Sequence, residues 1–258
     1  MQDTAEDTQT KQNSDTDKTV VDIQQLKKSF GRNEVLKDIT LKLNKGENLV
    51  VLGKSGTGKS VLIKCLVGLI EADEGKLQVL GNDVSELEAK TLNELRKKIG
   101  FLFQSGALYD SMTVRENLEF PVRRQMKSKS KEDIRKLVVE ALENVGLADA
   151  IDKMPSELSG GMRKRISLAR TLILKPEIML YDEPTTGLDT ITSKEISELI
   201  LKIQEKYQTS SIIITHDMEC ARIVADRVIV LKDGKVIGEG TFDELKDSPD
   251  KEINAFFV

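Results

Sequence analysis

Residues 48–60 read NLVVLGKSGTGKS and give the strongest evidence for the fold. A strand-sized apolar run is followed by a loop of the form G-x-x-x-x-G-K-[ST], at whose end a helical pattern begins. Glycines let backbone N–H groups curl around phosphate oxygens, and the helix directs its N-terminal dipole at the same anion. The sequence therefore predicts a phosphate-binding loop made of Gly53, Lys54, Ser55, Gly56, Thr57, Gly58, Lys59 and Ser60. We expect Lys59 to reach the β- and γ-phosphates of a nucleotide and the Ser60 hydroxyl to hold Mg²⁺.

Two neighbouring carboxylates end a second apolar run. Residues 178–183 read IMLYDE, a strand that finishes with Asp182 and Glu183. Adjacent residues on a strand point to opposite faces, so the two acids can take different roles. Ligands of an open parallel sheet lie at the carboxyl ends of its strands. We therefore predict that Asp182 holds Mg²⁺ and that Glu183 orients and polarises an attacking water.

A third motif, LSGGMRKR at residues 158–165, precedes a helix with apolar periodicity. Ser159, Gly160 and Gly161 at the start of that helix predict a second phosphate-binding N-terminus. One chain then carries two phosphate cradles but a single lysine-bearing loop. This combination is explained if two copies meet head to tail, each completing the nucleotide site of the other.

With these motifs the sequence resembles the ATP-binding-cassette (ABC) ATPases over roughly residues 20–245. The resemblance implies ATP and Mg²⁺ as cofactors and ATP hydrolysis coupled to transport. It also implies that Gln104 is the glutamine of the lobe junction, which contacts Mg²⁺ and takes part in catalysis. Asp189 matches the aspartate of the dimer contact, His216 the γ-phosphate sensor, and Phe30 the aromatic residue that stacks on adenine.

One position matches the family pattern closely, and three others depart from it. His216 is the only histidine and directly follows the apolar run at 211–215, which is where the family places its sensor. Phe30 replaces the commoner tyrosine, so a hydroxyl contact is lost. Met162 replaces the usual glutamine, and the segment 187–189 (GLD) lacks the usual alanine. Neither of the last two changes removes a phosphate donor.

Apolar periodicity gives the expected element order. It predicts strands at 20–26, 35–43, 48–52, 77–80, 99–103, 177–181, 211–215 and 227–231, and helices at 58–70, 131–145, 191–206, 217–225 and near the end of the chain. Strands that alternate with helices indicate an α/β fold with a largely parallel sheet.

The predicted domain organisation has three parts. Residues 1–18 form an acidic, disordered tail, residues 19–245 the ATPase domain, and residues 246–258 a C-terminal extension. Residues 104–170 are mostly helical and form a lobe inserted into the α/β core. The resemblance refines the fold class to a RecA-like core with an antiparallel β subdomain and this helical lobe.

Composition excludes several classes of protein. The 39 basic and 43 acidic residues give a net charge of −4, which argues against a nucleic-acid binder that works by bulk charge. No apolar run approaches the ~18 residues of a membrane-spanning helix, and the N-terminus lacks the pattern of a secretory signal. Cys65 and Cys220 are isolated, so we expect reduced, packed thiols.

Two segments narrow the resemblance. FQSGALYDSMTVRENL (103–118) and MPSELSGGM (154–162) are similar to the ATPases of MCE-type (Mla-like) lipid transporters. This resemblance implies phospholipid transport by a homodimer held on the cytoplasmic face of the inner membrane by an integral-membrane permease. It also implies a small STAS-like regulatory subunit and a periplasmic MCE lipid-binding protein. The alternative is the ATPase of another ABC transporter, such as a solvent-tolerance system or a small-molecule importer or exporter.

Other classes of ABC protein fit less well. A DNA-repair or chromosome-organising ATPase needs a long coiled-coil insertion, for which 104–158 is too short. A ribosome-associated factor needs two cassettes, and a scaffold that does not hydrolyse ATP is expected to lack Glu183 or His216.

Two surface features each have two possible interpretations. The basic run at 121–136 is either a solvated surface or a face near anionic lipid headgroups. The terminal pair Phe256 and Phe257 is expected to be docked rather than exposed. It packs either on the core of its own chain or, as the resemblance favours, across the dimer or on the regulatory subunit.

Overall fold

The computed structural model describes residues 19–257. The expected acidic tail at 1–18 and the last residue, Val258, lie outside the described residues. Within 19–257, no helix is long and apolar enough to cross a membrane.

The described chain forms a sheet with helices on both faces. The strands are β1 (Thr19–Phe30), β2 (Asn33–Asn44), β3 (Asn48–Leu52), β4 (Glu74–Val79), β5 (Asn82–Asp83), β6 (Ile99–Leu102), β7 (Ile178–Asp182), β8 (Ser210–Thr215), β9 (Arg227–Lys232) and β10 (Lys235–Gly240). The α-helices are α1 (Lys59–Leu66), α2 (Ala89–Lys97), α3 (Val114–Gln125), α4 (Lys131–Asn144), α5 (Gly160–Leu172), α6 (Thr190–Tyr207), α7 (Met218–Val224), α8 (Phe242–Lys246) and α9 (Lys251–Asn254). Single 3-10 turns lie at Val84–Glu86, Ala148–Ala150 and Pro155–Glu157.

The strand order is β5-β4-β1-β2-β10-β9-β3-β8-β7-β6. The five consecutive strands β9, β3, β8, β7 and β6 are parallel to one another. Their interiors are continuous apolar runs, as expected for strands covered on both faces. Because they are parallel, the segments after β3, β6, β7 and β8 all leave from the same edge of the sheet. Three of these segments carry the predicted phosphate loop, the lobe-junction glutamine and the two carboxylates, and the fourth carries the histidine.

The outer strands correct the expectation of a largely parallel sheet. β1 pairs antiparallel with β2 and β4, β4 with β5, and β9 with β10. The physical reason is the short connection of two residues, Gly31 and Arg32, between β1 and β2, which suffices for an antiparallel pair but not for a parallel crossover. The sheet is mixed, and the antiparallel β subdomain of the expected fold class is present.

Alternate residues of the central strand β3 divide the interior into two cores. Leu49 and Val51 pack with α1 on one face of the sheet. Val50 and Leu52 belong to the core on the other face, which includes the helices α3 to α7. The described chain between Leu102 and Ile178 has helices and no strand, as expected, but α5 shares the core of β3. The boundaries of a separate helical lobe therefore stay a prediction.

The C-terminal phenylalanines dock on their own chain. Phe256 and Phe257 are half-buried against the core that contains Leu245 and Ile253. The ring of Phe257 meets the ring of Phe242 edge to face, with centroids 5.1 Å apart. This is the first of the two alternatives that the sequence left open, and the surface that both rings still expose is the part available to a partner.

Candidate active site

Backbone geometry explains the glycines of the loop between β3 and α1. Gly56 and Gly58 have φ of +82° and +100°, in the left-handed region that favours glycine. A Cβ atom on Gly58 would also lie 2.7 Å from Leu36 Cδ2, so the loop closes against β2 only without one. Gly58 is the N-cap of helix α1 and provides no side-chain cap, so the first N–H groups of the helix are left for an anion bound by the loop.

Lys59 lies inside this loop. Its side chain is buried, with 7% of the residue exposed, and Nζ donates to Gly53 O at 2.5 Å and to Lys54 O at 3.0 Å. Burial lowers the lysine pKa, and the nearby charges of Glu183 and Asp182 oppose that shift. The ammonium is thus held between the loop and the carboxylates, 3.9 Å from Glu183 Oε1.

Asp182 and Ser60 are brought together, as predicted for two ligands of one metal ion. The Ser60 side chain interacts with the Asp182 carboxylate. Burial and the charge of Glu183 raise the pKa of Asp182, while Lys59, Lys64 and Ser60 act in the other direction. A half-buried carboxylate that is costly to ionise is one that a bound cation would stabilise.

Glu183 is fixed at both its backbone and its carboxylate. Its φ is +50°, an uncommon value for a glutamate, and its N–H donates to Ile214 O at 2.9 Å. Carboxylate oxygen Oε2 lies 2.8 Å from His216 Nδ1 and accepts from Thr186 Oγ1 at 3.3 Å. The Glu183 side chain is 13% exposed and that of His216 is 63% exposed. The pair therefore joins a shielded carboxylate to a ring that a ligand can reach.

One cavity of about 560 Å³ collects most of the predicted site residues. It is lined by Lys54, Ser55, Gly56, Gly58, Lys59, Ser60, Gln104, Asp182, Glu183 and His216, with Val35, Val61 and Ile214. Phe30, at the end of β1, is outside this lining; it is 48% exposed and faces Lys28 Nζ at 5.5 Å from the ring centroid. An exposed ring of this kind can stack on a base.

Ser159, Gly160 and Gly161, which we call the signature residues, are not part of this cavity. Ser159 caps α5 by accepting from Met162 N at 3.3 Å, and both Ser159 and Gly160 are exposed. Gly161 is buried against Thr192, on the helix that Asp189 caps, and a Cβ at Gly161 would lie 2.5 Å from Thr192 Cγ2. Within residues 19–257, the two predicted phosphate cradles therefore occupy separate surfaces.

Sequence reasoning missed one buried cation at the site. Lys164, on α5, is only 6% exposed and donates to Gln104 O and Glu183 O. Its only signal was a lysine one turn into a helix with an apolar face, which is equally typical of a solvated side chain.

Comparison with known proteins places this site in a family. Residues 36–186 match the family model described as "ABC transporter". A probable ribonucleotide transport ATP-binding protein, mkl, from Mycobacterium leprae is 41% identical over 236 residues, covering 92% of this chain and 68% of that protein. The chain belongs to the ABC transporter family of ATP-binding proteins.

Two further matches describe the breadth of this ABC family. The intermembrane phospholipid transport system ATP-binding protein MlaF of Haemophilus influenzae is 36% identical, over 92% of this chain and 89% of that protein. The dimeric, post-hydrolysis structure of the ATP-binding cassette MJ0796 with ADP and Pi superposes with a TM-score of 0.78. It is 32% identical over 86% of this chain and 98% of that one.

Membership in the ABC family has direct consequences. The chain has the cassette fold and is an ATP-hydrolysing subunit that uses Mg²⁺, pairs with a second cassette and works with a membrane permease. The donor set fits Mg²⁺, because Ser60, Asp182 and Gln104 offer oxygen ligands around one cavity and the ion keeps several waters. The thiols also behave as expected: Cys65 and Cys220 are free and buried, and burial raises their pKa values to about 11 and about 12.

Proposed function

We propose that the 560 Å³ cavity is the site of ATP hydrolysis and that Glu183 is its general base. The observation that carries the proposal is the placement of the Glu183 carboxylate between the His216 ring, at 2.8 Å, and the Lys59 ammonium, at 3.9 Å, beside the phosphate loop. Phe30 would stack on the adenine ring.

The chemistry follows from these contacts. The loop N–H groups and Lys59 bind the phosphates, and Glu183 accepts a proton from the attacking water. An ionised carboxylate only accepts hydrogen bonds, so His216 Nδ1 would carry the proton between them, and the other ring nitrogen would be left to bind the γ-phosphate. Mg²⁺ held by Ser60, Asp182 and Gln104 would neutralise charge on the phosphate oxygens.

A second copy of the chain completes this site. Ser159, Gly160 and Gly161 form a capped helix N-terminus that no residue of the phosphate cavity covers within the described chain. We assign this N-terminus to the γ-phosphate bound by the partner copy, while Asp189 stays at the contact between the copies.

The test is replacement of Glu183 by Gln. The loop, Lys59 and Asp182 are unchanged, so ATP binding should stay within about 3-fold of wild type, whereas turnover should fall by ~10²–10⁴-fold. Binding is measured by equilibrium dialysis and turnover by phosphate release, with Glu177→Gln on the exposed surface as the control. Turnover like that of wild type would overturn the assignment.

We propose further that the transported substrate is a phospholipid. The similarity to MlaF extends over nearly the whole of both chains, and the segments 103–118 and 154–162 support the same class. The cassette would then comprise residues 19–245 with a helical lobe at about 104–170. It would lie on the cytoplasmic face of the inner membrane, bound to a permease, a STAS-like subunit and, through the permease, a periplasmic MCE protein.

The runner-up is transport of a small molecule, which the name of the mkl relative supports. Affinity purification of the full chain from its native membranes separates the two. The lipid assignment expects a permease and an MCE protein to co-purify, and ATP-dependent transfer of labelled phospholipid in proteoliposomes that Glu183→Gln abolishes. A complex that instead takes up ribonucleotides, without phospholipid transfer, would contradict it.

A further inference from the structure

We propose that Lys164 is a positioning residue. It connects residues 104–107, which we call the junction segment, to Glu183 through hydrogen bonds. Its Nζ donates to Gln104 O at 2.6 Å and to Glu183 O at 3.3 Å, so one side chain bridges two backbone carbonyls from different strands' ends. The inference rests on the role proposed above for Glu183.

The burial of Lys164 indicates that its two hydrogen bonds are a built part of the site. A lysine that is 6% exposed is rare unless its charge is paired or hydrogen-bonded. Burial lowers the pKa of Lys164, and the fields of Asp182 and Glu183 act against that shift. The two carboxylates thus favour the ammonium form of Lys164, and the two carbonyls orient it.

The Glu183 end of the bridge determines where the carboxylate points. The Glu183 backbone has φ of +50°, its N–H is bonded to Ile214 O, and its carbonyl accepts from Lys164. The peptide groups on both sides of its Cα are therefore held from outside the segment. A rotation of this backbone would move the carboxylate away from His216.

At the Gln104 end of the bridge, side chains on one face of α5 contact the junction segment. Lys164, Ser167 and Arg170 follow at i, i+3 and i+6, which places them along one side of the helix. Ser167 Oγ lies 2.6 Å from where a Gly106 Cβ would stand, and Arg170 donates to Ala107 O. Arg170 therefore binds the same segment as Lys164, but no hydrogen bond connects it to Glu183.

That difference supplies the matched control. Lys164→Met removes both hydrogen bonds while keeping an unbranched side chain only one atom shorter, and Arg170→Met loosens the segment without touching Glu183. We expect kcat for ATP to fall by about 10- to 100-fold in Lys164→Met, the size that loss of hydrogen bonds from a charged donor gives, with KM within about 3-fold. Lys164→Gln, which restores N–H donors, should recover at least about 5-fold of that loss. Arg170→Met should keep kcat within about 3-fold.

The outcomes are distinguishable. A wild-type kcat in Lys164→Met, or an equal fall in Arg170→Met, would overturn the positioning role. Lys164→Ala, which leaves space for water, is measured in the same way if Lys164→Met does not fold. Glu183→Gln is assayed in parallel: full activity there would defeat the proposed role of Glu183 itself, whereas an inactive Glu183→Gln beside an active Lys164→Met would defeat only the inference about Lys164.

Discussion

At the scale of single residues, the ionised form of one site carboxylate costs free energy when no cation is bound. Asp182 is half-buried beside Glu183, and its raised pKa means that ionising it opposes folding of the empty chain. Asp189 is the opposite case, because hydrogen bonds from Thr192 at a helix N-terminus lower its pKa. The two aspartates should therefore respond to pH with opposite signs.

Replacing Asp182 by Asn tests this difference. A group with a raised folded pKa adds stability below its unfolded pKa and loses it as pH rises, so at pH 7.5 wild type carries the full penalty. We expect Asp182→Asn to raise the Tm of the nucleotide-free protein by roughly 2–4 °C, and the gain to shrink as pH falls through the pKa of Asp182. It should also remove the Mg²⁺-dependent part of stabilisation by ATP.

Asp189→Asn is the matched control, measured by the same thermal melts. Its wild-type carboxylate contributes stability above the unfolded pKa, so the variant should melt lower at pH 7.5 and converge with wild type in acid. A lower Tm for Asp182→Asn at pH 7.5 would contradict the buried-charge account.

At the scale of elements, the helices and strands with clear apolar periodicity were predicted correctly from the sequence. The parallel strands β3, β7, β8 and β9 and the helices α4, α6 and α7 lie within two residues of expectation at each end. The motif residues from β3, β6, β7 and β8 do converge on one cavity, because parallel strands bring their carboxyl ends together.

Other features depend on contacts that periodicity does not encode. β1 extends four residues beyond its apolar run, to Phe30, because hairpin pairing with β2, not burial, holds its polar end. The helix α2, with a single buried residue, and the half-exposed strand β10 were not predicted, and the final helix is two short ones. The bridge by Lys164 spans 60 residues to Gln104, a separation that no local pattern reports.

The separate position of the α5 N-terminus leads to a complementation test. Ser159→Arg should bind ATP but not hydrolyse it, because the bulky cation fills the surface that meets the partner's nucleotide. Lys59→Ala should lose ATP affinity. Mixed heterodimers contain one site with both an intact phosphate loop and an intact signature, so phosphate release should recover to a measurable fraction of wild type.

Each variant alone is the control for that mixture, and a tag on one subunit verifies heterodimers. Recovery also requires that one composite site suffices. Loss of the Ser159 cap costs about 1 kcal/mol by itself, so both variants are first checked for a cooperative melt. Heterodimers that form without any recovery would contradict independent composite sites.

At the scale of the whole molecule, the C-terminal segment packs against one of the two hydrophobic cores. Ile253 is buried, Phe256 and Phe257 are half-buried, and Lys232 pairs with Glu252 at 3.0 Å. Residues of α9 and the segment after it also line a cavity of about 780 Å³ with Lys54 to Thr57 of the phosphate loop. The tail is therefore a structural neighbour of the nucleotide site within the same chain.

Deletion of 250–258 should then destabilise the isolated chain, although the resemblance to lipid-transport ATPases suggests an effect on assembly alone. Burying Ile253 and part of each phenylalanine contributes a few kcal/mol, which ordering of the short segment partly offsets. We expect the Tm to fall by roughly 5 °C, and Phe257→Ala to account for part of it through the lost edge-to-face contact with Phe242. Lys251→Ala, on the exposed side of α9, is the control. An unchanged Tm with weaker dimer or partner association would contradict this prediction and would assign the two rings to an interface.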